Sequence, residues 1–166
     1  MIVNIALLTV TDTRTFDNDK SGAILVEKIK EANHNLIDRK ICKDNKKDIV
    51  LILKEWINKD DIDVVITTGG TGLTGRDITP EAVSEIAEKQ IPGFGEIFRN
   101  ISLKTVGTSA IQSRACAVLA KGKYIFALPG SSGGVPDAWE GILKYQLDIN
   151  HKPCNFVELF PRLKEK

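Results

Sequence analysis

A glycine-rich segment with an acidic end is the part of this 166-residue sequence best suited to chemistry. It covers residues 69–77 and reads Gly-Gly-Thr-Gly-Leu-Thr-Gly-Arg-Asp. Closely spaced glycines let the backbone turn with positive φ and point several amides at one place, which makes a nest for an anion. Asp77 follows the nest, where its carboxylate could hold Mg²⁺ against a phosphate chain. The segment therefore predicts a site for a phosphorylated ligand.

Two nucleotide-binding motifs share this glycine spacing, and their neighbouring residues exclude both. Residues 70–75 match G-x-G-x-x-G, but the helix start at Thr79-Pro80 comes too late for the third glycine to pack a helix on a strand. The acidic residue expected about 20 positions later would be Glu96, inside a predicted helix. The spacing also fits a P-loop, but Arg76-Asp77 replaces the required Lys-Ser/Thr. An anion nest followed by a helix N-terminus remains.

Apolar runs and helical spacings alternate along the chain and predict a β-α-β-α-β order with a later pair of strands. The predicted strands cover residues 1–10, 36–41, 63–68, 115–119 and 124–128. The predicted helices start at Ser21 and Thr79 as N-caps, cross residues 49–56 and about 94–103, and end with one that carries residues 138–145. We therefore predict one α/β domain over residues 1–166. It should be a three-layer α/β/α fold whose mostly parallel sheet has one antiparallel strand.

The loops that follow the predicted strands are the candidate site, because ligands collect at the carboxyl ends of strands in an open parallel sheet. Polar loops are common in any fold, but the four loops taken together are richer in Asp and Gly than chance suggests. They contain Thr11, Asp12, Lys43, Asp44, Gly69, Gly70, Thr71, Gly72, Pro129, Gly130 and Ser131. We expect these loops to meet at one edge of the sheet.

Composition excludes several classes of function. The chain is 42% hydrophobic and 27% charged with a net charge of +1, which is typical of a globular protein and favours neither nucleic acid nor an acidic membrane as partner. No apolar run approaches the roughly 18 residues of a membrane span, and the first residues lack the basic leader of a signal peptide. Cys42, Cys116 and Cys154 form no CxxC pair. Reduced thiols in a cytoplasmic protein are the expectation.

Several segments together resemble one known family. Thr-Thr-Gly-Gly-Thr-Gly at residues 67–72, followed by Arg-Asp-Ile-Thr-Pro-Glu-Ala at 76–82, is similar to the signature of the MoaB/MogA molybdenum-cofactor biosynthesis proteins. The resemblance extends to residues 93–96, to Ser113-Arg114, to Leu-Pro-Gly-Ser at 128–131 and to residues 152–156. It covers essentially the whole chain. The closing segment and the length are more similar to MoaB than to MogA.

The resemblance implies a molybdopterin-binding fold and a definite reaction. Such proteins bind molybdopterin, a pterin with a dithiolene and a terminal phosphate, and active members transfer AMP to that phosphate from Mg-ATP. They form trimers or hexamers, and a molybdenum-insertion enzyme is the expected consumer of the product. The two important aspartates match Asp77 and Asp44, which would be catalytic and would orient Mg²⁺. The active relatives' Pro-Asp step is Lys43-Asp44 here.

The remaining site residues take roles on the same basis. Gly69, Gly70, Thr71 and Gly72 would hold phosphate, Pro129, Gly130 and Ser131 the pterin side, and Thr11 and Asp12 would contact substrate. Lys43 and Arg76 are either counter-charges or solvated. A non-catalytic molybdopterin carrier remains the alternative, since a carrier would not require Asp44. A generic nucleotide phosphohydrolase is a third possibility.

Four residue sets are assigned no catalytic role. His34 and His151 lie in polar surroundings and are expected at the surface. Trp56 and Trp139 fall on apolar helix faces and are expected in the core or a subunit contact. Ser131 lacks a G-x-S-x-G turn, which argues against a hydrolase triad. Cys116 is expected to be buried in a strand and unreactive.

Overall fold

A six-stranded sheet runs through the computed structural model, which describes residues 1–165. Its strands are β1 (Asn4–Val10), β2 (Asn35–Cys42), β3 (Val64–Thr68), β4 (Lys89–Gln90), β5 (Cys116–Ala120) and β6 (Lys123–Leu128). They lie in the order β2-β1-β3-β6-β5-β4. β1, β2, β3 and β6 pair in parallel, whereas β5 pairs antiparallel with both β6 and β4. The predicted, mostly parallel sheet with one reversed strand is confirmed.

Helices follow the strands in the predicted order. They are α1 (Lys20–Glu31), α2 (Lys46–Ile57), α3 (Thr79–Glu85), α4 (Pro92–Val106), α5 (Gly134–Ala138) and α6 (Lys144–Gln146). Short 3-10 helices cover Gly107–Gln112 and Val157–Arg162. The predicted final helix is present, and a π-helical turn at Trp139–Leu143 divides it into α5 and α6. No helix within residues 1–165 is long and apolar enough to cross a membrane.

Alternation of side chains along β1 builds a core on each face of the sheet. Leu7 faces the cluster formed with α1, α4 and α5, whereas Leu8 faces the cluster formed with α2 and α3. Near-continuous apolar strands are expected where both faces are covered. Trp139 lies in the first cluster and Trp56 in the second, and both are buried as predicted. The three-layer arrangement is confirmed.

Two predicted helix caps are wrong. Asp19, not Ser21, caps α1, and its carboxylate accepts a hydrogen bond from the Gly22 amide at 2.9 Å. Thr79 is the first residue of α3 rather than its cap, and its hydroxyl donates to the Gly69 carbonyl at 2.8 Å. A tertiary bond to the glycine loop therefore replaces the local capping bond.

Both histidines are less exposed than predicted. His34 is half-buried, and its Nδ1 accepts a hydrogen bond from the Val3 amide at 3.3 Å. His151 is half-buried as well, with its ring centroid 5.3 Å from that of Tyr145. Both histidines therefore pack against the protein rather than standing free on its surface.

Helix α2 offers a direct test of the second core cluster. Leu53 is fully buried, whereas Leu51 on the same helix is 69% exposed. Leu53→Ala should lower the free energy of unfolding by about 2 to 3 kcal/mol, because it leaves a cavity against the sheet. Leu51→Ala should change it by less than about 0.5 kcal/mol. Urea titration followed by circular dichroism measures both values, and equal losses would contradict this packing.

Candidate functional site

The loops after β1, β2, β3 and β6 line one open cleft of about 630 Å³ at the carboxyl edge of the sheet. Of the predicted site residues, ten line it: Thr11, Asp44, Gly69, Gly70, Thr71, Gly72, Asp77, Pro129, Gly130 and Ser131. Asp12 lies beside the lining and accepts a hydrogen bond from the Asp44 amide at 3.2 Å. Lys43 is exposed and outside the lining. The structure thus brings the four loops together.

The glycine loop has the predicted conformation. Gly69 and Gly70 have φ of 103° and 68°, in the region that favours glycine. A Cβ on Gly70 would lie 2.4 Å from the Thr79 hydroxyl oxygen, so the loop is also too tight for a side chain. No hydrogen bond within residues 1–165 uses the amides of Gly70 or Thr71. Two backbone donors are therefore free for an anion in the cleft.

Asp77 is held in place by a neighbour in its own turn. Its Oδ2 accepts hydrogen bonds from the amide and the hydroxyl of Thr74 at 2.9 and 2.6 Å. Burial acts to raise the pKa of Asp77, but these bonds and one from the Gly72 amide hold it below its usual value. Asp77 is therefore a fixed, ionised carboxylate at neutral pH.

The surroundings of Asp44, unlike those of Asp77, disfavour the charged form of its carboxylate. Its Oδ1 is so close to Gly70 that a Cβ there would sit 3.2 Å away. Burial and the charges of Asp12 and Asp77 raise the pKa of Asp44, and together they outweigh a backbone hydrogen bond from Asp12 and the charge of Arg76, which act to lower it. Such an under-neutralised group of carboxylates attracts a cation.

Arg76 neutralises this acidic group only weakly. Its side chain is 77% exposed, and its Nη1 lies 3.6 Å from the Asp12 carboxylate. An ion pair this exposed contributes little to stability. No group of three or more His, Cys, Asp or Glu in the described part of the chain is arranged to hold a metal ion. A cation here would rest on Asp44 and Asp77 together with oxygens of a ligand.

Arg114 anchors the glycine loop through hydrogen bonds. From the sequence, this residue is identified only as part of the family resemblance. Its amide donates to the Thr71 carbonyl at 2.8 Å, and its Nε donates to the Gly72 carbonyl at 2.7 Å. Its Nη2 donates to the Asp77 carbonyl at 2.6 Å, while Nη1 pairs with Glu81. One side chain therefore links both ends of the nest to helix α3.

The fourth side of the cleft is built by the loop after β6. The Thr68 hydroxyl donates to the Pro129 carbonyl at 2.8 Å, which ties this loop to the end of β3. The Ser131 hydroxyl accepts a hydrogen bond at 3.0 Å from the amide of Gly134, the first residue of α5. Arg14, which sequence reasoning missed, reaches across to donate to the Gly130 carbonyl at 3.1 Å.

The thiols take no part in this site. Burial raises the pKa of Cys116 to about 11 and that of Cys42 to about 12. Neither thiol is ionised at neutral pH, so neither is a nucleophile or a metal ligand in its resting state. The prediction that Cys116 lies in a strand is confirmed, although it is only half-buried at the start of β5.

The sequence of this chain is similar to those of known proteins. Residues 6–148 match the family described as "Probable molybdopterin binding domain". The chain belongs to this family. Molybdenum cofactor biosynthesis protein B of Escherichia coli strain K12 is 44% identical over 161 residues, covering 97% of this chain and 93% of that protein. The resemblance drawn from residues 67–82 and the later segments is therefore confirmed.

Solved structures of relatives support the family's fold in this chain. A crystal structure of Molybdenum cofactor biosynthesis protein B matches with a TM-score of 0.90 at 40% identity, covering 100% of this chain and 98% of that one. The tungsten cofactor synthesizing protein MoaB from Pyrococcus furiosus matches with a TM-score of 0.76 at 35% identity, covering 84% and 89%. The first of these matches covers the whole chain, including the strands and loops that form the cleft.

A buried carboxylate supports the cleft in this family member. Asp19 accepts hydrogen bonds from the Thr9 hydroxyl at 2.6 Å and from Arg39 at 2.9 Å. It also accepts from the Ser21 hydroxyl at 3.2 Å and the Gly22 amide. The network fixes the end of β1 to the start of α1, so it sets the ends of the loop that carries Arg14.

Asp19 should make stability depend on pH. Burial acts to raise its pKa, but the bonds from Thr9, Gly22 and Arg39 bring it below the usual 3.8. A depressed folded-state pKa stabilises the protein above the unfolded pKa, and this stabilisation is lost as pH falls through the folded value. Asp19→Asn should therefore cost about 2 kcal/mol at neutral pH. Its difference from the wild type should shrink below pH of about 4 in urea titrations. A difference independent of pH would contradict this.

Proposed function

We propose that this protein binds molybdopterin and transfers AMP to its terminal phosphate from Mg-ATP. One observation carries the proposal: Asp44 and Asp77 lie beside the free amides of Gly70 and Thr71 in a single cleft. Membership of the molybdopterin-binding family supports the pterin as ligand. The carboxylates support the finer step, because a protein that only holds a pterin phosphate has no need of acidic groups beside it.

The donor set at the acidic end fits magnesium. Mg²⁺ takes hard oxygen ligands and is commonly held by one or two carboxylates together with substrate phosphates. Asp44 is partly buried beside the charges of Asp12 and Asp77, and Asp77 is fixed and ionised. These two residues would hold the ion. When bound, it would neutralise the charge of two polyanions that must approach each other.

The protein's own residues would act by position and charge. An oxygen of the pterin phosphate attacks the α-phosphorus of ATP, and a new phosphorus–oxygen bond forms. The bond from the α-phosphorus to the oxygen that bridges to the β-phosphate breaks, and pyrophosphate leaves with that electron pair. The amides of Gly70 and Thr71 would donate to phosphate oxygens, while Arg114 keeps their loop in shape. No protein nucleophile is needed.

Binding and turnover must be measured separately, because a carrier would show the first without the second. Titration calorimetry of the wild-type protein with molybdopterin should show binding in the absence of ATP. The protein should then form adenylylated molybdopterin only when Mg-ATP is added. Tight pterin binding with no ATP-dependent product would favour the carrier. ATP hydrolysis without pterin would favour a phosphohydrolase, and either outcome would contradict the proposal.

We also propose that the protein assembles into an oligomer. We expect a homotrimer or homohexamer, as the family resemblance implies, and a molybdenum-insertion enzyme that takes up the product. Apolar side chains on and after α4 are exposed, as a subunit contact would need: Ile97, Leu103, Val106 and Ile111. Light scattering coupled to size-exclusion chromatography measures the assembly directly.

A further inference from the structure

The loop after β1 sends two charged side chains in opposite directions across the cleft. β1 lies between β2 and β3 in the sheet, and β6 lies beyond β3. Asp12 turns toward the end of β2, where it accepts the Asp44 amide at 3.2 Å. Arg14 turns the other way, passes the end of β3 and donates to the Gly130 carbonyl at 3.1 Å. Asp44 and Asp77 form the acidic end of the cleft, with Asp12 beside them and only the exposed Arg76 as a weak counter-charge, and Arg14 forms the basic end.

Two nitrogens of the Arg14 guanidinium make no hydrogen bond within residues 1–165. Its Nη1 makes two hydrogen bonds, to the Gly130 carbonyl and to the Ser21 hydroxyl at 3.3 Å. Across residues 1–165, no hydrogen bond uses its Nε or Nη2, and no carboxylate pairs with it. Arg14 also lines the cleft beside Gly70 and Ser131. A planar guanidinium with two free donor nitrogens matches two oxygens of a phosphate.

The loop that carries Arg14 is ordered before any ligand arrives. The Thr11 hydroxyl accepts hydrogen bonds from the amides of Thr13 and Arg14, both at 3.3 Å. Ser21, which receives Arg14, donates in turn to the buried carboxylate of Asp19. A guanidinium held in this way loses little further freedom when it binds an anion, so more of the contact appears as affinity.

We propose that Arg14 binds the terminal phosphomonoester of the pterin, while the magnesium-loaded triphosphate occupies the end with Asp44 and Asp77. This assignment rests on the proposed function and adds the direction in which each substrate lies. A phosphate dianion without a metal is repelled by three carboxylates and attracted to an arginine. A triphosphate that carries Mg²⁺ is instead attracted to the carboxylates, which bind its metal ion. The Gly70 and Thr71 amides lie between the two ends, where the attacking phosphate and the α-phosphate must meet.

A binding comparison with two pterin forms tests the assignment. Arg14→Gln should weaken molybdopterin binding by about 10- to 100-fold, the value of a lost charge-assisted phosphate contact. It should leave the affinity for the dephosphorylated pterin and for a non-hydrolysable Mg-ATP analogue unchanged. Arg14→Lys keeps the charge but loses the planar pair of donor nitrogens. Its affinity for molybdopterin should lie between those of the wild type and Arg14→Gln. Arg162→Gln, an exposed arginine paired with Glu165 outside the cleft, is the matched control.

The outcomes separate this assignment from the function on which it rests. An Arg14→Gln protein that keeps the full preference for the phosphorylated pterin would overturn the assignment alone. Equal losses for both pterin forms would overturn it too, since they would mean that Arg14 only shapes the loop. Wild-type protein that binds neither form would contradict the proposed function itself.

Discussion

Asp77→Asn should lower the rate of adenylyl transfer by on the order of 100- to 1000-fold, the cost of removing one preorganised charge-stabilising group. The asparagine oxygen can still accept the two hydrogen bonds from Thr74, so the turn should keep its shape. What is lost is the negative charge that acts on Asp44 and would hold the cation. Initial rates of product formation at saturating ATP measure the effect, and circular dichroism checks the fold.

Asp61→Asn makes the same change of charge away from the cleft. Asp61 is exposed just before β3, at the amino edge of the sheet, whereas the cleft lies at the carboxyl edge. This variant should transfer AMP at the wild-type rate. If Asp77→Asn also turns over at that rate, Asp77 has no part in the chemistry.

Gly69→Ala should lower the free energy of unfolding by about 3 to 5 kcal/mol, from backbone strain and steric overlap combined. Gly69 has a φ of 103°, which an alanine resists, and a Cβ there would lie 2.2 Å from the Val10 carbonyl oxygen. Backbone atoms cannot rotate away as a side chain can. The loop would have to shift, and this would displace the neighbouring Gly70 and Thr71 amides, which we expect to bind phosphate. Urea titration gives the stability, and titration calorimetry gives the loss of molybdopterin binding.

Gly75→Ala is the matched control in the same loop. Apart from its chain neighbours, no heavy atom lies within 4 Å of a Cβ at Gly75, and its φ lies outside the left-handed region. Its free energy of unfolding should stay within about 0.5 kcal/mol of the wild-type value. Similar losses at both positions would show that the loop tolerates no change of any kind, and would contradict the specific role of Gly69.

Part of the convergence of the loops follows from the sequence. Parallel strands end at the same edge, so the order β-α-β-α-β already brings Asp44 and Gly70 toward one place. The later hairpin indicates one antiparallel strand without saying which, and the structure shows that the strand before Gly130 is a parallel one. The conformation of the glycine loop was predictable for a similar reason, since adjacent glycines before a helix start indicate positive φ.

The two arginines of the cleft could not be predicted in the same way. Arg14 is 116 residues from its partner Gly130, and Arg114 is 42 residues from Gly72. Both donate to main-chain carbonyls, which every residue possesses, so no residue type marks the partner in the sequence. Only the fold shows which carbonyls are within reach. The family signature included Ser113-Arg114 without a role for either residue.

Tertiary contacts also override some of the local sequence preferences on which the predictions are based. Thr79 has the residue type and position of a helix cap, yet its hydroxyl bonds the Gly69 carbonyl, because the tight turn of the loop leaves that carbonyl in need of a donor. The two-residue strand β4 has no apolar pattern and exists through its pairing with β5. The π-helical turn at Trp139–Leu143 likewise has no distinctive sequence pattern.

The most direct measurement follows the α-phosphate of ATP. Wild-type protein, molybdopterin and magnesium would be incubated with ATP radiolabelled at its α-phosphate, and pterin and nucleotide products would be separated by chromatography. The label should move onto the pterin, with one pyrophosphate released for each adenylylated molecule and none without pterin or magnesium. Molybdopterin that stays bound and unlabelled would contradict adenylyl transfer and leave a carrier in its place.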